Sequence, residues 1–393
     1  MQPHPFLVGA TLIVLSGLLS FVGVGVARAE SANIDVHMHL HPQGLPGGQR
    51  QAGPGPRRPP AGARQRPGPG GPRPPPRDGG GRSKAQNLAA AADNLVAKMD
   101  ELGVGRALVV VVPTPGQSGE DDYRDIRRAV GSHSDRLFLM AGGATLGPMI
   151  QQTAPDRVTE RVRARFRARA EKILEQGAVG FGEMISYHLC MSNTHSFQQA
   201  AADHPLFFLL ADIAAANDVP IDIHMEAVET EHDTPKNLRG ACRANPRRIV
   251  ATVPGLEKLL SHNRDARIVW QHIGWDNVGQ MRPALLRRLL ESHPNLFLAL
   301  RIEDRRRQVG GGGPMPNRIV DRRGQIQPGW RDLIVDFSDR VMIGSDEFFS
   351  PNADVRHPAA SFVGTWAVLD QLQPDLAVKI GHDNPARVYR LDR

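Results

Sequence analysis

A chain of 393 residues, 40% of them hydrophobic, is long enough to bury a large core as two domains or as one α/β barrel with insertions. Its formal charge of +7 does not mark a nucleic-acid binder. The excess lies in residues 43–83, which hold eight Arg, one Asp, no Lys and no aromatic residue to stack on a base. At the N-terminus, Phe6 to Val26 is apolar, and Ala27-Arg28-Ala29 before Glu30 has the small-x-small form of a signal-peptidase site. Cleavage after Ala29 and export, periplasmic or secreted, are expected. An uncleaved membrane anchor is the alternative, because the run is long enough to span. The first strand follows at 33–39, and after His41-Pro42 comes the 43–83 segment. With eleven Pro and twelve Gly it cannot pack a core and reads as a disordered insertion.

Beyond the insertion the pattern alternates. Lys84 to Leu102 places Leu88, Ala92, Leu95 and Met99 on one helical face. Short runs rich in Val, Ile, Leu and Phe predict buried parallel strands at 107–112, 137–142, 178–183, 220–224, 267–272, 295–301 and 341–346. Helical stretches fall between them, near 119–132, 157–176, 202–217, 247–262, 280–293 and 329–338, with closing helices at 358–372 and 384–390. Eight strands alternating with helices predict a (β/α)8 TIM barrel, with the insertion in its first βα loop, on the catalytic face. No dinucleotide-binding glycine signature follows the first strand. The two cysteines, Cys190 and Cys242, form no CxxC pair, which argues against a zinc knuckle. In an oxidising compartment they can pair, or they can stay as two thiols.

Six metal-competent side chains sit at the predicted strand ends: His37, His39, Glu183, His224, His272 and Asp346. Alternate residues of a strand share a face, so His37 and His39 can grip one ion together. Any one of the others alone reads more simply as a core histidine, a turn cap or an ion-pair partner. Parallel strands delivering all of them to one barrel mouth make the set a metal site.

With these residues the chain resembles the amidohydrolase superfamily, in particular its amidohydrolase-related branch, from Asn33 to Arg393 apart from the insertion. The resemblance rests on His37-Met38-His39, His224, His272, Asp346 and the closing Asn384-Pro385-Ala386-Arg387. Many binuclear members carry a carboxylated lysine on the fourth strand, and no Lys is available there. Gly182-Glu183 instead is similar to the Gly-Glu of TatD-type members. That likeness implies that Glu183 bridges two ions; otherwise one ion on His37, His39, His224 and Asp346 is implied. Imidazoles and carboxylates suit zinc first, and also manganese, nickel or iron.

A bound cation lowers the pKa of its water from ~15.7 towards ~7 and polarises a carbonyl or phosphoryl oxygen. Asp346 is the expected general base, and His272 either ligates or orients the substrate oxygen. Arg301 can bind a substrate carboxylate or phosphate, or pair with Glu303 or Asp304. Asp276 is expected to line the pocket and Trp275 either to line it or to pack under the loop, with Tyr187, His188 and Glu226 on the same face. His232 and His382 read as ordinary loop or surface histidines. The expectation is a metal-dependent hydrolase of a small-molecule ester, lactone, amide or phosphoester. A mononuclear decarboxylase of the same superfamily is the enzymatic alternative, and a non-catalytic barrel binding anionic polymers through 43–83 is the other. Homo-oligomers and weak contact of 43–83 with anionic surfaces are compatible with the composition.

Overall fold

The computed structural model describes residues 33–42, 82–111, 119–191, 196–302, 316–352 and 360–392. The expected signal segment 1–29, and the 43–83 insertion up to residue 81, lie outside them. The described residues belong to one unit, Ala32–Arg393. Among them, no helix is long and apolar enough to cross a membrane.

Eight parallel strands follow chain order: β1 Asn33–Leu40, β2 Val104–Val110, β3 Leu137–Gly142, β4 Ala178–His188, β5 Ile221–Met225, β6 Ile268–Ile273, β7 Leu296–Leu300 and β8 Val341–Ile343. Each of the first seven pairs in parallel with the next. β8 pairs with β7, and three residues further on Glu347–Phe349 pairs in parallel with β1. The eighth crossing therefore meets both ends of the sheet. With helices covering the crossovers, the architecture is the expected (β/α)8 barrel.

Local chemistry sets the elements. The first helix, Lys84–Leu102, starts at a capping box in which Ser83 and Gln86 satisfy each other's backbone, and it ends at Gly103 in the left-handed conformation. Its Leu88, Ala91, Ala92, Leu95 and Met99 enter the large core between strands and helices. A smaller cluster joins Ile34, Val36, Leu108, Val110, Met140, Val269, Phe297, Ala299 and Met342 to Ala386, Val388, Tyr389 and Leu391 of the C-terminus. Asn384 donates to the carbonyls of Ser338 (2.6 Å) and Val341 (2.8 Å), fastening the last helix, Asn384–Tyr389, to the start of β8.

Three irregularities in pairing re-aim side chains at the barrel mouth. Between β1 and β2 the register shifts between Asp35 and Met38, so Val36 and His37 share one partner position. Between β4 and β5 it shifts between Phe181 and Met184, around Gly182 and Glu183. Between β6 and β7 the pairs Trp270–Leu298 and Ile273–Leu300 leave Gln271 and His272 opposite one residue. Such bulges bend a strand and redirect a side chain. Across the first, the packing faces exchange: Ile34 and Val36 lie in the small cluster, Met38 and Leu40 in the large one.

Several boundaries differ from the sequence reading. β2 begins three residues before the expected 107. β4 runs to His188 because Tyr187 and His188 pair antiparallel with Gln198–Gln199, so Glu183 lies within the strand and not at its end. The expected strand 341–346 is interrupted, and Asp346 sits in the break between Ile343 and Glu347. Short helices at Leu146–Gln151, Lys236–Ala241 and Pro374–Val378 were not legible as separate elements.

Candidate metal centre

β1 carries the first donors. His37 Nε2 and His39 Nε2 lie 3.1 Å apart. His39 Nδ1 is 3.3 Å from the Val110 carbonyl, which takes the ring N–H and leaves Nε2 facing the mouth. Glu183 meets two imidazoles with one oxygen: Oε1 is 2.5 Å from His224 Nδ1 and 2.7 Å from His272 Nε2. Its Oε2 is 3.9 Å from His37 Nε2. Asp346 approaches the same nitrogen of His37. Its Oδ1 lies 3.0 Å from His39 Nε2 and 3.9 Å from His37 Nε2. All six residues singled out from the sequence are thus brought together in one cluster.

Two of them occupy strained backbone. His272 has φ +63° and Asp346 has φ +54°, a region that costs a side-chain-bearing residue energy unless its surroundings impose it. The surroundings are identifiable. The Asp346 amide donates to the His37 carbonyl (2.9 Å) and the Gly344 amide to Leu300 (3.0 Å). The Ser345 amide donates to Asp35 Oδ1 (3.1 Å), which also accepts the His37 amide (3.0 Å). One buried carboxylate therefore ties β1 to the break after β8.

Electrostatics follow from this crowding. Burial alone would raise the Glu183 carboxyl, yet the His224 and His272 imidazoles hold it well below the usual range. Burial would also raise Asp346, and Arg301, His272 and His39 outweigh it downward. Burial works against a charged His39, but Asp346 pulls its pKa up; Glu183 does the same for His224. Burial dominates at His37 and His272 and pushes both down, keeping them neutral. The donor set fits a divalent cation. The neutral imidazoles of His37 and His272 converge with the ionised Glu183 and Asp346, and among the described residues the buried His37 Nδ1 and His272 Nδ1 have no hydrogen-bond partner.

Arg301, at the end of β7, is buried. It pairs with Asp346 Oδ2 at 2.5 Å, and its guanidinium carbon lies 3.9 Å from the Trp275 ring centre. Its weighed partners Glu303 and Asp304 lie outside the described residues. Asp276 is turned to structure: it accepts from the amides of Val278, Gly279 and Met281 and from Asn317. Tyr187 packs edge-on against Phe197 in the core. His232 and His382, read as loop or surface histidines, lie instead in the two-residue strand His232–Asp233 and in the helical turn Lys379–Asp383; His232 bonds the Thr230 carbonyl and Gln280, and His382 bonds Asp383.

A layer of buried polar groups below these ligands escaped the sequence reading. Tyr389 donates to Asp222 Oδ1 at 2.7 Å, and Gln271 Nε2 is 3.5 Å from the Tyr389 oxygen. Burial raises Asp35 to about 7 and Asp222 well above its ordinary value. Asp35 and Asp222 each stand two residues before a predicted ligand, which is the signal that was available. The cysteines are paired, Cys190 to Cys242, with Cα atoms 5.9 Å apart.

Comparison with known proteins bears on this geometry. The amidohydrolase family model matches residues 34–391. No curated protein matches the chain. Among solved structures, a probable 2-pyrone-4,6-dicarboxylic acid hydrolase from Acinetobacter baumannii is 10% identical, with 91% of this chain and 99% of that one covered and a TM-score of 0.45. A 4-oxalomesaconate hydratase from Rhodopseudomonas palustris is 15% identical, covering 81% and 87%, with a TM-score of 0.46. A 5-carboxyvanillate decarboxylase from Sphingomonas paucimobilis is 15% identical, covering 75% and 82%, with a TM-score of 0.43.

Proposed function

The chain belongs to the amidohydrolase family, and from that premise we propose that it is a metal-dependent hydrolase acting on a small-molecule ester, lactone, amide or phosphoester. The observation that carries this reading is the pair of carboxylates that both approach His37 Nε2 to 3.9 Å: Glu183, in contact with His224 and His272, and Asp346, in contact with His39 and Arg301.

In this reading His37, His39, Glu183, His224, His272 and Asp346 hold one or two divalent ions, zinc first among them. When bound, the ion lowers the pKa of water and polarises the bond to be cleaved. The remaining chemistry belongs to the chain. Asp346, ionised beside Arg301, takes a proton from the attacking water and returns it to the leaving group. His272, kept neutral by burial, orients the substrate oxygen or completes the ligand set. Arg301 offers its planar fork to an anionic substrate group, and Trp275 holds that fork in place. Glu183 favours hydrolysis over decarboxylation, because a carboxylate at the fourth strand supports a second ion.

The discriminating experiment runs turnover in ¹⁸O-labelled water while trapping carbon dioxide. Label in the product without carbon dioxide release is the expected result. Stoichiometric carbon dioxide would instead assign a decarboxylase. An exported enzyme is part of the proposal, and the Cys190–Cys242 disulfide suits an oxidising compartment.

A further inference from the structure

We propose that Tyr389, on the C-terminal helix, is a positioning residue for the metal centre: its hydroxyl holds Asp222 and Gln271 in place beneath His224 and His272. The proposal rests on the reading of the mouth as a metal centre.

The small apolar cluster takes side chains from β1, β2, β3, β6, β7 and β8, so it fills the interior of the barrel. Tyr389 belongs to that cluster, together with Ala386, Val388 and Leu391 of the chain's end, and is buried. Its ring therefore packs among apolar groups while its hydroxyl meets polar ones. The hydroxyl donates to Asp222 Oδ1 at 2.7 Å, and Gln271 Nε2 lies 3.5 Å from the same oxygen. Alternate residues of a strand share a face, so Asp222 stands one step below His224 on β5. Gln271 directly precedes His272 and shares with it the bulge opposite β7.

Both supported side chains press on backbone that carries other ligands. A Cβ at Gly182 would stand 2.8 Å from the Cβ of Asp222, so Asp222 packs against the strand immediately before Glu183. A Cβ at Gly344 would stand 3.2 Å from Gln271 Oε1 and 3.1 Å from His37 Cβ, so Gln271 packs against the break that holds Asp346. The left-handed backbone of His272 (φ +63°) has to be imposed by its neighbours, and Gln271 is the adjoining one. Among the described residues Asp222 Oδ2 has no hydrogen-bond partner, so the Tyr389 hydroxyl is what orients this buried carboxylate. A shift of Asp222 or Gln271 would thus be passed to the ligands above them. Groups that support ligands from outside are typically worth ~10- to 100-fold in metal affinity. Tyr389 acts one contact further out, which places its effect at the lower end.

The test is Co(II) binding by the full chain after chelation, followed by visible absorption. Wild type, Tyr389→Phe and Val388→Ala are compared, with circular dichroism as the check on folding. Tyr389→Phe removes one oxygen and leaves the ring in the cluster; it is expected to bind Co(II) ~10-fold more weakly, with an altered absorption band. Val388→Ala loosens the same helix and keeps the hydroxyl, so affinity and band should stay those of wild type. Combined with Asp222→Ala, the Tyr389→Phe substitution should cost little further affinity, because its route has already been removed. Wild-type affinity and absorption in Tyr389→Phe would overturn the role. An equal loss in Val388→Ala would overturn it too, and assign the effect to packing of the helix. A full further loss on top of Asp222→Ala would overturn the route through Asp222. Wild type that binds no Co(II) would instead strike at the metal centre itself, and at the proposal with it.

Discussion

Arg301 and Asp346 hold each other at 2.5 Å across the ends of β7 and β8, with the Arg301 guanidinium over Trp275. The pairing fixes one oxygen of the carboxylate and leaves the other to His39 at 3.0 Å. Lysine can replace the charge of Arg301 but neither its fork nor its stacking. Arg301→Lys is therefore predicted to keep its metal and lose kcat/KM by ~10- to 100-fold, and Arg301→Ala by more, as for loss of a charge-assisted contact. Steady-state kinetics on metal-matched samples checks this. Equal activity of Arg301→Lys and wild type would remove Arg301 from substrate positioning.

Asp346→Asn keeps the shape at the break after β8 and removes the base. Turnover is predicted to fall by ~10²–10⁴-fold, the usual contribution of a positioned proton acceptor. Circular dichroism should stay that of wild type. Full turnover in this variant would assign the proton transfer to another group.

Asp35 acts through the backbone. Its Oδ1 accepts the amides of His37 and Ser345. Asp35→Ala leaves both buried amides unpaired and is predicted to cost about 2–5 kcal/mol in denaturant unfolding. Asp35→Asn keeps an acceptor and should recover most of that loss. The sign of its pH dependence follows from burial, which raises the carboxyl from 3.8 to about 7. The folded state holds the proton longer than the unfolded one, so this group's contribution is full below about 3.8 and is lost as pH rises through about 7. Asp35→Asn should lack that alkaline loss, which unfolding curves across the range would show.

Metal binding should weaken in acid. Asp346 and Glu183 raise the pKa of His39 and His224 above the ordinary imidazole value of ~6.5, against the lowering effect of burial. A protonated imidazole cannot ligate, so affinity falls as pH drops through those raised values. The gap in thermal midpoint between zinc-loaded and chelated protein should shrink as pH falls from about 8 to about 5. A gap independent of pH would contradict histidine ligation.

The alternation of apolar runs with helical patterns made the barrel legible, because parallel strands buried on both faces need continuous Val, Ile and Leu. The six donors were legible for the same reason: strand ends in a barrel converge on one mouth. What the sequence hid was backbone geometry. The register shifts at His37, Glu183 and His272 insert a residue without any turn signal, and each changes which face a side chain occupies. Asp346 read as the end of a strand, whereas it lies in a break shaped by Asp35, a contact 310 residues apart in the chain. The Asp222–Tyr389 bond joins β5 to the last helix, and only the folded chain brings them together. Period-two alternation cannot report either.

Elemental mass spectrometry of protein purified without added chelator or metal tests the central claim most directly. One or more equivalents of a transition metal in wild type, diminished in His37→Ala and in Asp346→Ala, is the predicted result. Wild-type protein that carries no metal and takes none up on reconstitution would contradict the metal centre, and the hydrolase mechanism with it.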